Sequence, residues 1–162
     1  YEGETAESEI GRCGVYRIDP ASGAVTIVAD DFVKPNGLAF SPDESALYVA
    51  DTGGSHVSNG PRHIRKLPVA AGGTAPGRGA VFAECSAGLF DGFRFDTQGN
   101  LWTSAADGVH VFAPDGTLIG KIRIPELVAN VSFGGPKRNR LFICGTTSLY
   151  AAYTTVTGAA KG

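Results

Sequence analysis

Short apolar runs rich in β-branched and aromatic residues recur along this chain, and clusters of Gly, Pro, Asp and Asn separate them. Almost no segment carries the 3.6-residue apolar period of an amphipathic helix. The pattern therefore predicts a nearly all-β protein, with strands over 15–18, 25–29, 38–40, 46–50, 63–67, 80–83, 93–95, 101–104, 109–112, 118–124, 131–133, 141–144 and 148–155.

The runs are not independent of one another. GLAFSPDESALYVAD (37–51) lines up with GFRFDTQGNLWTSAA (92–106) and, with a small insertion, with NVSFGGPKRNRLFICGT (130–146). Each has a short strand ending in Phe, a turn rich in Gly, Pro or Asp, and an apolar strand opening with Leu and an aromatic. A second repeat relates GVYRIDPASGAVTIV (14–28) to GVHVFAPDGTLIGKI (108–122), both being strand, Pro-containing turn and strand.

The two repeats alternate, which makes a unit of four antiparallel strands at a spacing of about 40 to 55 residues, the signature of a β-propeller blade. The chain then divides into a partial blade over 1–33, blades over 34–86 and 87–126, and a partial blade over 127–162. This is a single partial propeller domain. A propeller ring needs roughly four to eight blades, so further blades, or a second copy of the chain, are expected to complete it. The absence of methionine and the start at Tyr1 fit a truncated chain better than one shortened only by processing.

Composition narrows the function classes. With 14 basic and 16 acidic residues and a net charge of −2, no like-charge run points to nucleic acid or an anionic membrane. No apolar stretch approaches the roughly 20 residues of a spanning helix. Cys13, Cys85 and Cys144 are odd in number and lack CxxC spacing, so reduced thiols and a reducing, cytoplasmic compartment are expected. Cys85 and Cys144 sit in apolar runs as small hydrophobes would. No GxSxG elbow supports a serine esterase.

Aligned on Phe40 and Phe95, Asn36 and Asp91 occupy the same place, just before the glycine that opens the first strand of successive repeats. Their oxygens are hard donors suited to calcium, magnesium or manganese and tolerable for zinc. Asn-Gly and Asp-Gly are also common turn pairs, and spacing alone leaves both readings open. Asp51 either lines the site from behind or accepts a turn amide. Asn130 stands one residue past the third equivalent position, Ala129, and is a candidate pocket residue. It also opens an Asn-Val-Ser sequon, whose expected place in a buried inner strand argues against glycosylation. His56, His63 and His110 show no zinc spacing; His56 lies in a glycine-rich loop that could reach a pocket mouth, His110 reads as a packing or surface residue, and Trp102 reads as core.

The strings KPNGLAFSPDESALYVADTG (34–53), FDGFRFDTQGNLWTSAADGVHVFAPDG (90–116) and VANVSFGGPKRNRLFICGTTSLY (128–150) resemble the family of gluconolactonase, senescence marker protein (regucalcin) and luciferin-regenerating enzyme. The resemblance runs through nearly the whole chain. It implies a six-bladed propeller with one divalent metal, calcium first and zinc, magnesium or manganese as alternatives. By the same resemblance Asn36 and Asp91 are metal ligands and Asp91 is also the general base. The family's glutamate ligand and its substrate-holding Arg and Asn have no counterpart here. The implied activity is metal-dependent hydrolysis of a small-molecule sugar lactone, with a non-catalytic calcium- or ligand-binding propeller as the rival, and a homodimer of half-propellers as a way to close the ring.

Overall fold

The computed structural model describes residues 9–70 and 78–160. Among the described residues there are thirteen strands and one 3-10 turn, Gly53–Ser55. All the strands pair antiparallel. The first sheet has β1 (Cys13–Ile18) and β2 (Val25–Phe32). The second runs in order through β3 (Pro35–Phe40), β4 (Ala46–Asp51), β5 (His63–Pro68) and β6 (Ala80–Glu84). The third holds β7 (Phe93–Phe95), β8 (Leu101–Ala105), β9 (Gly108–Phe112) and β10 (Leu118–Arg123), and the fourth β11 (Val128–Gly134), β12 (Arg140–Gly145) and β13 (Leu149–Tyr153). Each predicted strand has its counterpart, usually a residue or two longer. The all-β, partial-propeller class read from the repeats holds. No helix among the described residues is long and apolar enough to cross a membrane.

The core lies between sheets rather than within one. Leu47, Val49 and Leu67 pack on Val15, Ala29 and Phe32 of the first sheet. On the opposite face, Tyr48, Ala50 and Ile64 pack on Phe90, Phe93, Phe95 and Leu101. Val109, on the third sheet, joins Val128, Val131, Phe133, Leu141 and Ile143 of the fourth. A middle strand is thus covered on both faces, which is why β4 and β9 are buried at every residue and read as continuous apolar runs rather than alternating ones. Trp102, read as core, is partly buried; its ring meets Phe133 edge-on at 5.5 Å, and its indole N–H donates to Asp96 at 2.9 Å. Arg65 crosses from the second sheet to the first, donating to both carboxylate oxygens of Asp31 at 3.2 and 3.0 Å.

The turns are closed by aspartates. In the β3–β4 turn the Asp43 carboxylate accepts from Ser41 Oγ at 2.6 Å and from the Ser45 amide at 3.1 Å. Those bonds, Ser41 first, lower its pKa to about 2. Asp96 does the same work in the β7–β8 turn, accepting from the amides of Gln98 and Asn100, both at 2.9 Å. Cys13, Cys85 and Cys144 are free thiols. Cys144 is exposed, contrary to the expectation of a buried hydrophobe, because its strand β12 lies next to β13, where the fourth sheet has little cover.

The first strands of the second, third and fourth sheets converge. A Cβ on Gly37 would lie 1.9 Å from the Asp91 carbonyl oxygen, and one on Gly92 would lie 2.1 Å from Asn130 Oδ1. These glycines serve close approach, not a turn: neither is among the residues with positive φ. The two contacts differ in kind, one being backbone and the other a side chain that can rotate. Gly37→Ala is therefore expected to lower unfolding free energy by about 2–3 kcal/mol. Gly92→Ala should cost roughly half as much. Urea denaturation of both variants checks this, and equal losses would contradict it.

Candidate active site

Where the converging strands begin, a cleft of about 490 Å³ opens, lined by Asn36, Thr52, Ser55 and Arg62 from the second sheet, Gly88, Leu89 and Asp91 from the segment before β7, and Leu127 and Val128 from the start of β11. The two repeat-equivalent residues, Asn36 and Asp91, thus face one space. The register of β3 on β4 is broken between Pro35 and Leu38, and that of β11 on β12 between Val128 and Asn130. Both irregularities fall at the repeat position of Asn36. Bulges of this kind bend a strand and re-aim a side chain.

Asp91 is held by its backbone. Its amide donates to Ser104 Oγ at 3.1 Å, Gly92 N donates to Ala129 O at 3.0 Å and Ser104 N to Gly92 O at 3.0 Å. The preceding residue, Phe90, is 1% exposed and meets the rings of His110 at 6.0 Å and Phe112 at 5.7 Å. One residue is buried in the core so that the next can reach the cleft.

The other predicted residues fall elsewhere. The buried Asp51 carboxylate accepts three backbone amides, Lys34 at 2.8 Å, Val33 at 2.9 Å and Gly53 at 3.1 Å. That is the turn-amide role; it fixes the entry to β3 from the rear and is absent from the cleft lining. Asn130 is exposed, against the expectation of a buried position, and its Oδ1 accepts from its own neighbour Val131 N at 2.8 Å. The glycine-rich loop lines the cleft through Gly54 and Ser55, and Thr52 and Arg62 flank it there. His56 Nδ1 lies 2.6 Å from Ser55 Oγ.

Arg62 escaped the sequence reading. It ends the long 52–62 connection between β4 and β5, whereas β8 and β9 are joined by Ala106 and Asp107 alone. That difference in loop length between repeats was the available signal. His110 is 1% exposed and Asp107 lies 2.6 Å from its Nε2, while Lys121 Nζ reaches Asp107 at 3.1 Å and Ser86 Oγ at 3.3 Å. This cluster ties the segment carrying Asp91 to the third sheet.

The donor set bears on a metal. An amide oxygen and a carboxylate suit a hard divalent cation, but calcium takes about six to eight oxygens. No group of three or more His, Cys, Asp or Glu side chains placed to hold a metal ion occurs among the described residues. The oxygens of Asn36 and Asp91 suit such a cation in chemistry and are fewer than its coordination requires.

Residues 2–147 match the family described as SMP-30/Gluconolactonase/LRE-like region, and the chain belongs to that family. A gluconolactonase from Zymomonas mobilis is 33% identical over 159 residues, covering 96% of this chain and 44% of that protein. The structure of a gluconolactonase from Xanthomonas campestris superposes with a TM-score of 0.78 at 37% identity, covering 94% of this chain and 47% of that one. Regucalcin from Agrobacterium tumefaciens, described as a calcium-binding protein, gives a TM-score of 0.71 at 22% identity over 91% of this chain and 54% of its own, a likeness of fold. The chain spans about half the length of the curated relatives it matches.

Burial alone would raise the pKa of Asp107, but hydrogen bonds from His110 and Lys121 outweigh it and hold the carboxyl below its ordinary 3.8. A lowered carboxylate pKa stabilises the fold fully above the ordinary value, and the contribution disappears as pH falls through the folded one. Between pH 5 and pH 3, Asp107→Asn is expected to lose less stability than the parent chain in urea titrations. Parallel losses would sink the assignment.

Proposed function

We propose that this chain carries part of the active site of an enzyme that hydrolyses a sugar lactone or related cyclic ester by attack of water. Residues 1–162 are read as one partial propeller domain, with blade divisions at 33, 86 and 126. The observation that carries the functional reading is the shared cleft of Asn36 and Asp91, supported by the gluconolactonase relatives.

Asn36 and Asp91 would hold a divalent cation, calcium first and zinc, magnesium or manganese otherwise. Such a cation, when bound, supplies a Lewis acid that polarises the lactone carbonyl. Asp91 takes a proton from the attacking water, whose oxygen bonds to the acyl carbon. The ring C–O bond breaks, the proton passes to the departing ring oxygen, and the hydroxy acid ionises to release one proton to solution. Ser104 and Ala129 keep Asp91 in register through the backbone bonds described above. Leu127 and Val128 give the cleft an apolar wall that limits water.

Two ligands are fewer than the family's resemblance implies, so turnover by the 162-residue chain should be low. In a pH-drop assay with gluconolactone, Asp91→Asn is expected to reduce the turnover of the chain by about 100-fold or more, and chelation should abolish it until calcium is restored. Unchanged turnover in the variant would overturn the role of Asp91; binding of the lactone without any hydrolysis would favour the non-catalytic reading.

Oligomeric closure is a second reading, favoured by apolar exposure at both ends of the sheet series. Ile18 and Val25 are 67% and 62% exposed at one end, and Leu149 and Tyr153 are 68% and 78% exposed at the other. A homodimer would cover these faces. Light scattering is then expected to give twice the 16.7 kDa of the chain, and a stable monomer would end this reading.

A further inference from the structure

The cleft contains a cation that the reaction just described does not use. Arg62 lies across the boundary of the second and third sheets, donating from one Nη to Gly54 O at 3.2 Å and from the other to Gly88 O at 3.3 Å. Its side chain rests on Gly54, where a Cβ would lie 2.7 Å from Nε. Both hydrogen-bond partners are neutral carbonyls, and among the described residues no carboxylate forms a salt bridge with it. Among the described residues these two bonds engage two of its five N–H donors, and they hold the guanidinium against its loops at the cleft wall. An arginine held in this way is pre-organised to bind a planar or tetrahedral oxyanion through paired N–H donors.

We propose that Arg62 is the anion-recognising residue of the cleft, taking an oxyanion carried by the lactone or by its ring-opened hydroxy acid. This rests on the lactonase reading for the identity of the ligand, though not for the anion site itself. The two sources share one chemistry. A substituent such as a phosphate would make Arg62 a determinant of substrate choice; the carboxylate formed on ring opening would make it a determinant of product release.

The test uses the whole chain, gluconate as the product anion, and gluconolactone beside 6-phosphogluconolactone as the neutral and charged substrates. NMR titration with gluconate is expected to shift the Arg62 Nε–H resonance, and Arg62→Gln should weaken gluconate binding by about tenfold or more, with partial retention in Arg62→Lys. If the charge is read on the substrate instead, the ratio of kcat/KM for the phosphorylated over the neutral lactone falls about tenfold in Arg62→Gln. Thermal melts report on folding. Should Arg62→Gln unfold, the wild-type resonance and Arg62→Lys carry the test. No shift on gluconate and an unchanged substrate ratio, or equal losses for both lactones, would overturn the proposal. A chain that binds gluconate through Arg62 yet hydrolyses nothing would refute the reaction and leave the anion site standing; hydrolysis with no Arg62-dependent anion effect would do the reverse.

Discussion

The close approach of β3, β7 and β11 is the constraint on which the rest depends. Gly37 admits the Asp91 carbonyl and Gly92 admits the Asn130 side chain at separations no Cβ would permit. With those first strands drawn together, the sheets fan outward and stack face to face, and the inter-sheet layers fill with apolar side chains, Phe and Leu in every one. The cleft is the other consequence of the same convergence. Residues that immediately precede the two glycines, Asn36 and Asp91, are carried to a common space because their strands start at a common place.

Division of labour among the carboxylates follows from where each turn falls. Asp43 and Asp96 close turns by accepting hydrogen bonds from nearby hydroxyl or amide groups, and Asp51 fixes a strand entry through three amides. Asp107 is tied to a buried histidine and to Lys121. Asp91 is located through backbone bonds at its own amide and at Gly92. Loops play the complementary part: the long β4–β5 connection brings Thr52, Ser55 and Arg62 to the cleft wall, whereas the two-residue β8–β9 connection only braces the segment before β7.

Much of this was legible in the sequence, and the reasons are physical. Strand number and order followed from repeats such as 37–51 and 92–106, because a stacked sheet imposes the same turn and core demands on each copy. Asn36 and Asp91 could be paired by position because repeat equivalence converts directly into spatial equivalence around converging strands. What sequence could not resolve was orientation within an element. Asp51 and Asn130 stood near the same motifs, yet one carboxylate turns back to three amides and the other side chain packs over Gly92. Cys144 looked like core because its neighbours Phe142 and Ile143 are apolar, but only one face of β12 is well covered.

By itself the sequence determined the all-β class, the blade repeat and the register that puts Asn36 and Asp91 in equivalent places, since periodicity and turn chemistry are local properties that survive without coordinates. Tertiary structure alone decided that Gly37 and Gly92 act through close approach rather than turn geometry, and that Arg62 joins the cleft. Those facts depend on contacts between segments 26 to 54 residues apart, Arg62 with Gly88 and Gly37 with Asp91, and no local pattern encodes a contact made across two sheets.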